Sequence, residues 1–503
     1  MKNLLEIARV LTKKKLARIE ILDENTLKSK GSKFGQLYEG LVTGKIETDH
    51  DAVRLLYGSS DVSSDKYRQF KSRFKRRLYN SLFFADINEP LASNRAQAHL
   101  NCHKDWAQVC IMLSYQMYGP AVAQAKTILS TARKYHFTEL VVACARLLRD
   151  RAAANGQPKK FDTWHAIVEA YLPLLETETR SEALCQQAIL VHKARYLDQE
   201  QLQQLEAISE ELLQLNAGGT SPIVQYYLSV SWILYYEATR EHGNILEIAT
   251  QALQYMDEQP DYFSSDQRVF FLIRQLSVHL HRRQYSEGRR HTESILDSFA
   301  KGSSEWLNFM EYYFLLSLHT GNYINAVAVF NQVADTPAYK KLTDIRQEKW
   351  TLFEAFLHYF VEQGHIKDDM LLRGRRHAFK VNNFLNTAVH YPAPLANIAL
   401  HRLVLQMLFQ LNRRNVTGFQ KAIRVLEKLV AYEFKKKGFE RALTLSKLIL
   451  ALEKNGYRPQ YIPHAEKLLQ NFTQYDFFYR GKIAELEVVP FDRLWEILCQ
   501  SLE

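Results

Sequence analysis

Leu315-Leu-Ser-Leu-His-Thr-Gly321-Asn-Tyr323-Ile-Asn-Ala326-Val-Ala-Val-Phe330 is the stretch on which the fold of this chain turns. An apolar helical run stops at Gly321, which permits a tight reversal, and a second apolar run follows at once. Ala326 lets two helices approach closely, and Tyr323 and Phe330 fill the space beside it. The unit reads as one helical hairpin.

Similar turns recur along the chain at Gly243-Asn-Ile245, Arg283-Gln-Tyr285, Gly364-His-Ile366 and Arg414-Asn-Val416. Counting Gly321, successive turns are 40, 38, 43 and 50 residues apart. Each follows a strongly apolar helix, such as Tyr226 to Tyr236 or Leu400 to Leu411, and precedes a more amphipathic one. Periods of this length belong to stacked helical hairpins. Composition agrees: the 503 residues hold only 19 Gly and 12 Pro, well below the average usage of roughly 7% and 5%. Long helices are expected, not a sheet rich in tight turns. Apolar residues at 47% and charged residues at 24% exclude intrinsic disorder for the chain as a whole.

Charge is unevenly placed. Of 65 basic and 55 acidic residues (net +10), residues 1–90 hold 18 bases against 12 acids, a net of +6. The remainder is nearly balanced. Residues 1–90 read as a separate helical module, with helices near 3–18, 33–43, 49–57 and 64–85. Thr48-Asp-His-Asp51 has the form of a capping box, and Gly44 and Gly58 mark helix ends. In the last helix Tyr67, Phe70, Phe74, Leu78 and Leu82 form one apolar stripe. Lys71, Arg73, Lys75, Arg76 and Arg77 are then left largely outward, as a surface for nucleic-acid phosphates, for an acidic protein, or for water alone. Lys13 to Lys15, Arg373-Gly-Arg-Arg376 with His377 and Lys380, and Lys435 to Lys437 are lesser basic groups.

Gly321, Tyr323, Ala326 and Phe330 stand as in a tetratricopeptide repeat, which the unit resembles. The preceding unit is similar more loosely, through Tyr285 and Gly288. The spacing exceeds the 34 residues of that family, so the resemblance implies a degenerate, longer-helix variant. The chain also resembles large tetratricopeptide-like proteins of Bacteroidota, in Tyr67 to Phe84 and Tyr135 to Leu148. That resemblance implies a bacterial protein with an N-terminal helical module followed by repeats, and brings no activity.

The expected architecture is therefore all-α: a basic helical module over 1–90, irregular hairpins over 91–215, a tetratricopeptide-like α-solenoid over 216–455 and capping helices over 456–503. Linkers are short, at 155–160, 216–222 and 391–394, with Pro222 placed to begin a helix.

Familiar catalytic signatures are missing: no phosphate loop, no dinucleotide fingerprint, no H-E-x-x-H, no C-x-x-C and no G-x-S-x-G. His99 and His103, four apart on a helix with Cys102 between them, have the spacing of a metal pair, but lack a second ligand cluster and read better as surface or packing residues. His279 and His281 point in different directions. Glu176 with Glu178, and Asp368 with Asp369, suit helix ends. Cys144 lies in an apolar run, where burial suppresses thiol reactivity. Catalytic residues, metal and cofactor are accordingly expected to be none. The dense aromatic runs, among them Tyr312-Tyr-Phe314 and Phe477-Phe-Tyr479, suit packing between helices, with a minority available to a partner.

No window approaches the roughly 18 apolar residues of a membrane span, and the first residues lack the form of a signal peptide. Five scattered cysteines fit a reducing compartment, so cytoplasmic residence is expected. The leading functional expectation is a non-enzymatic interaction scaffold whose concave face binds a polypeptide. The alternative is a nucleic-acid-linked regulator that docks through residues 1–90.

Overall fold

A computed structural model describes residues 32–58, 61–82, 94–194, 197–219, 221–367, 370–371, 379–386, 395–436 and 438–502. Among these residues every regular element is helical. The expected helix at 3–18, Lys13 to Lys15, Asp368 with Asp369, Arg373 to His377, the linker 391–394 and Lys437 lie outside the described residues. The chain divides into two compact units, Met1–Glu176 and Thr177–Glu503.

The first unit begins with α1 (Lys33–Val42), α2 (Asp49–Tyr57) and α3 (Asp65–Leu82). Thr48 caps α2: its hydroxyl accepts from Asp51 N–H, and the Asp51 carboxylate accepts from Thr48 N–H at 2.9 Å. Such a box satisfies two otherwise unpaired helix donors and is worth about 1 kcal/mol. Gly58 then ends α2 in the left-handed region. Tyr67, Phe70 and Phe74 of α3 bury against Leu37, Val53 and Leu56, which is the apolar stripe expected of that helix. Three hairpin-linked helices follow, α4 (Asn94–Ser114), α5 (Tyr118–Lys134) and α6 (Thr138–Ala154), each packed on its neighbour. They enclose a core of Val109, Ala125, Leu129, Val141 and Cys144. The 35-residue α7 (Pro158–His192) contains Pro173, and its residues from Thr177 onward belong to the second unit.

The second unit continues with α8 (Gln199–Leu215), α9 (Pro222–Thr239) and α10 (His242–Asp257). Next come α11 (Ser265–His281), α12 (Tyr285–Ile295), α13 (Ser304–His319), α14 (Tyr323–Ala334) and α15 (Asp344–Glu362). The described helices end with α16 (Val381–Asn386), α17 (Ala396–Asn412), α18 (Val416–Leu429), α19 (Glu440–Lys454), α20 (Ala465–Gln474) and α21 (Phe491–Gln500). Pro222 starts α9 at its first position, as expected. Packing runs between consecutive helices and from one hairpin's first helix to the next, as in α11 on α13 and α15 on α17.

One turn geometry repeats in both units. A residue at positive φ ends the helix, at Gln116, His136, Gly156, Arg240, Arg283, Gly321, Gly364, Arg414 and Gly456. The next residue donates its N–H to the carbonyl five positions back, over 2.8–3.0 Å, as Asn322 does to Ser317 and Asn415 to Gln410. This is the Schellman closure, which satisfies carbonyls that a helix end leaves free. In the first unit the turns fall at 116, 136 and 156, twenty residues apart. The first turn of the second unit needs a correction of register. It lies at Arg240-Glu241, and Gly243 is already inside α10. Arg240 takes the left-handed conformation there, so the glycine three residues on is a misleading marker.

At the quoted hairpin, Gly321 has φ +73°, and Ala326 and Phe330 are fully buried. Phe330 meets Phe314 and Trp350, while Tyr323 stacks on Phe360 with centroids 4.1 Å apart. Burying a phenylalanine of this kind contributes about 2–3 kcal/mol. A second difference lies near the end of the chain. Residues 456–503, expected as capping helices, contain α20 and α21 with an irregular strap between them, and its one short 3-10 turn is Ile483–Glu485.

Candidate functional site

The first helices of the hairpins, α11, α13, α15 and α17, are unusually enclosed. In α13 every residue from Trp306 to His319 is buried except Asn308, and α17 is buried continuously from Ala396 to Phe409. A helix that is apolar or buried all round must be covered on both sides. The partner helices cover one side. Much of the other is covered by the strap, residues 475–490, in which Tyr479, Leu486, Val488 and Val489 are at most 2% exposed.

The strap backbone is held chiefly by side chains of these first helices. His281, in the last turn of α11, donates Nδ1–H to the Ser277 carbonyl at 2.6 Å and accepts Tyr479 N–H on Nε2 at 2.9 Å. His401 in α17 repeats the device: Nδ1–H goes to the Asn397 carbonyl at 2.8 Å, and Nε2 accepts Val488 N–H at 3.0 Å. His319 in α13 works the other way, its Nε2–H donating to the Glu487 carbonyl at 2.7 Å. The bond to a carbonyl four residues back fixes the tautomer of His281 and His401, as second bonds to histidine do elsewhere. Burial pushes the His281 imidazole down to about 4 and that of His319 to about 3, and lowers His401 as well.

Strap side chains are held as specifically. Tyr479 donates its hydroxyl to Glu311 of α13, which also pairs with Lys349 of α15. Glu487 receives a two-pronged bond from Arg441 of α19, at 2.7 and 3.0 Å, and Arg441 also reaches Asp492 at 3.1 Å. Such forked pairing fixes orientation as well as charge. Arg480 lies against Glu485 at 2.8 Å, and Lys482 donates to the carbonyls of His192 and Ala194 at 2.7 and 2.9 Å. Cations suit the carbonyl-rich end of a helix, and here they seat the strap on the end of α7. Burial lowers the Lys482 amine to about 8, with Arg480 adding to the effect. Nearby, burial alone would raise the Glu237 carboxyl, but Arg274 and His192 overcome it and hold it at about 2. His192 Nε2 is 3.1 Å and Arg274 Nε 3.2 Å from the two Glu237 oxygens.

Between the strap and helices α9, α17 and α19 lies a cavity of about 400 Å³, lined among others by Arg240, Asn397, Phe439, Arg441, Phe478 and Glu487. The Asn397 Oδ1 is buried there without a hydrogen-bond partner.

The five basic residues of α3 are not equivalent. Lys71 binds Asp49 at 2.6 and 2.8 Å, beside the Tyr67 hydroxyl on the same carboxylate. The Arg77 guanidinium lies 4.7 Å from the Phe34 ring. Arg73, Lys75 and Arg76 are exposed. At about 100° per residue the five span the whole polar arc of the helix. The His99 and His103 Nε2 atoms are 3.1 Å apart on an exposed face of α4, and among the described residues no group of three or more ligating side chains is arranged around a metal position. Cys144 is fully buried, its thiol pushed up to about 12 by burial. Glu178 accepts the Ser221 hydroxyl at 2.6 Å. No described helix is long and apolar enough to cross a membrane.

Sequence reading misses the strap and the histidines that hold it. His281 stands out there only as an unpromising metal residue, and Phe477 to Tyr479 only as an aromatic run. The chain matches no family model, no curated protein and no solved structure.

Proposed function

We propose that this chain is a non-enzymatic protein–protein interaction scaffold, an α-solenoid of tetratricopeptide-like hairpins whose first-helix face holds an extended polypeptide. The observation that supports it is the seating of residues 475–490 on that face, by main-chain bonds from three histidines and side-chain bonds from Glu311 and Arg441. These are contacts of the kind a receptor makes with an extended peptide: the backbone is bonded directly and a few side chains fix the register. The partner is then an extended segment with an aromatic-tyrosine-basic run followed by aliphatic residues, like Phe477 to Lys482 and Val488-Val489. It engages by displacing the strap. Cytoplasmic residence belongs to the same proposal and is supported by free thiols at Cys102, Cys110, Cys144 and Cys185.

The test is titration of a labelled peptide spanning 475–490 against the full chain and against a full chain with Val488→Ala and Val489→Ala. The loosened chain should bind it saturably and at least about tenfold more tightly than the intact chain, following the loss of buried methyl groups that hold the strap in cis. A loosened chain that is helical by circular dichroism yet binds a scrambled peptide equally well would remove the proposal.

A second reading rests on the exposed Arg73, Lys75 and Arg76 as a surface that follows DNA or RNA phosphates. It expects binding that weakens steeply with salt and disappears when the three are changed to Glu. Absence of binding at low salt removes it.

A further inference from the structure

The strap has no helical ladder of its own, and that sets it apart from everything it touches. Apart from the short turn in which Glu485 N–H meets the Lys482 carbonyl and Leu486 N–H that of Ile483, and Tyr475 N–H on the Asn471 carbonyl, its bonded backbone donors go to side chains: Tyr479 N–H to His281, Arg480 N–H to Glu485, and Val488 N–H to His401. The helices beneath keep their own main-chain bonds whatever the charge of those side chains. Loss of the histidine contacts therefore removes partners from the strap and not from α11, α13 or α17. Segments held in this way are the ones that open before the rest of a fold.

We propose that the strap is a pH-controlled latch, released from the first-helix face when the histidines that hold it take up protons, while the helices of the second unit remain folded. It rests on the scaffold reading only for the use made of the uncovered face.

Protonation acts differently at each histidine and has one consequence. His281 has already committed Nδ1–H to Ser277, so a new proton goes to Nε2, where it meets the Tyr479 N–H donor. The resulting cation is stacked on His242, with ring centroids 4.7 Å apart, and Arg240 adds repulsion against the carboxylate of Glu237. His401 likewise loses Val488 N–H as a donor, and the Val489 carbonyl, 3.3 Å from the same nitrogen, offsets part of that loss. Its neighbours are the ring of Phe356, the strap residues Glu487 and Val489, and Phe491 of α21, and Glu487 is already held by Arg441. His319 uses Nε2–H on the Glu487 carbonyl, so its new proton falls on Nδ1, which is buried without an acceptor. Around it stand Arg283, Asp492 and His281, and the ring of Phe477 packs edge-on at 4.7 Å. His192, paired with Glu237 and facing Arg480 and Lys482, and His242, facing Arg282, Arg240, Asp476 and Glu237, are lowered by burial in the same region.

In the open state these imidazoles regain an ordinary value near 6.5, whereas closed they stay neutral until about 4 at His281 and about 3 at His319. Going from pH 7.5 to 5, each of these two therefore multiplies the open-to-closed ratio by roughly thirtyfold, and the pair by about a thousandfold. The effect opposes burial of Tyr479, Leu486, Val488 and Val489, which favours closure at every pH.

Hydrogen–deuterium exchange of the full chain, read by peptide mass spectrometry and corrected for the intrinsic pH dependence of exchange, tests the latch. Between pH 7.5 and 5, peptides covering 476–490 should lose at least about a hundredfold of their protection. Those covering 265–281, 304–319 and 396–412 should keep theirs. His281→Gln retains a carbonyl oxygen to accept Tyr479 N–H and does not titrate, so this variant alone should reduce the pH response of the strap by about thirtyfold. A strap equally protected at both pH values, a strap lost only together with the helices, or an undiminished response in His281→Gln would each overturn the latch. No partner is present in the experiment, so its failure leaves the peptide titration unaffected.

Discussion

The turns set the smallest scale at which this chain can be tested. At a φ near +60° a side chain with a Cβ is strained, and only glycine is at ease. Arg414 occupies such a position in an exposed turn. Arg414→Gly should therefore be neutral or stabilise the chain by up to about 1 kcal/mol, and Gly321→Ala should destabilise it by about 1–2 kcal/mol. Urea unfolding of both variants checks the pair, and equal effects would contradict the turn geometry. Gly288 is different, since it lies within a helix and its need is space. A Cβ there would stand 2.4 Å from Leu316 Cδ2 and 3.0 Å from His279 Cβ. Gly288→Ala should cost about 1–3 kcal/mol through overpacking, and a neutral result would mean that α12 does not approach α11 and α13 so closely. At this scale sequence reading works where chemistry leaves a mark. Gly321, Ala326, Phe330 and Gly288 carry small-residue and aromatic signals, and Thr48 with Asp51 carries a capping pattern. Gln116, His136 and Arg240 turn the chain equally well and leave no mark, because a left-handed residue other than glycine is chosen by the fold around it.

Among the elements, the helices were legible and the strap was not. Apolar spacing of three and four residues located α3, the Thr48 to Asp51 capping pattern with Gly44 and Gly58 bounded α1 and α2, and Pro222 marked the start of α9. The strap has no such period, and its partners lie far away in sequence: Tyr479 meets His281 across 198 positions and Glu311 across 168, and Lys482 meets His192 across 290. A run such as Phe477 to Lys482 looks the same whether it covers a core or faces water. Its attachment is testable at Arg441 and Glu487, whose side chains are about nine-tenths buried. Arg441→Ala leaves Glu487 as a buried charge without its cation and should cost about 3–5 kcal/mol, whereas Glu487→Ala leaves Arg441 its contact with Asp492 and should cost less. The double variant Arg441→Ala with Glu487→Ala should cost clearly less than the sum of the singles, with a coupling of about 1–3 kcal/mol. Additive losses in thermal unfolding would show that the two groups are not in contact.

For the chain as a whole, the placement of histidine sets the response to acid. His281 and His319 are neutral when folded and are held there by burial, down to about 4 and about 3. The unfolded chain binds protons to both near 6.5, so below that pH it holds more protons than the folded chain. Stability contributed by these groups is complete above about 6.5 and falls as pH drops toward 4 and then 3, each adding up to about 1.4 kcal/mol per pH unit. Denaturation midpoints should thus decline from pH 6.5 to 4.5 more steeply in the natural chain than in His281→Gln, and identical slopes would contradict the assignment. None of this was legible beforehand, because the 17 histidines look alike until the fold buries some of them against a backbone. The central claim, that an extended segment occupies the first-helix face, is tested most directly by amide exchange of the full chain at pH 7.5. Peptides covering 476–490 should exchange at least about a hundredfold more slowly than an open segment, though faster than those of α13; exchange at the rate of an open, unprotected segment would contradict the account.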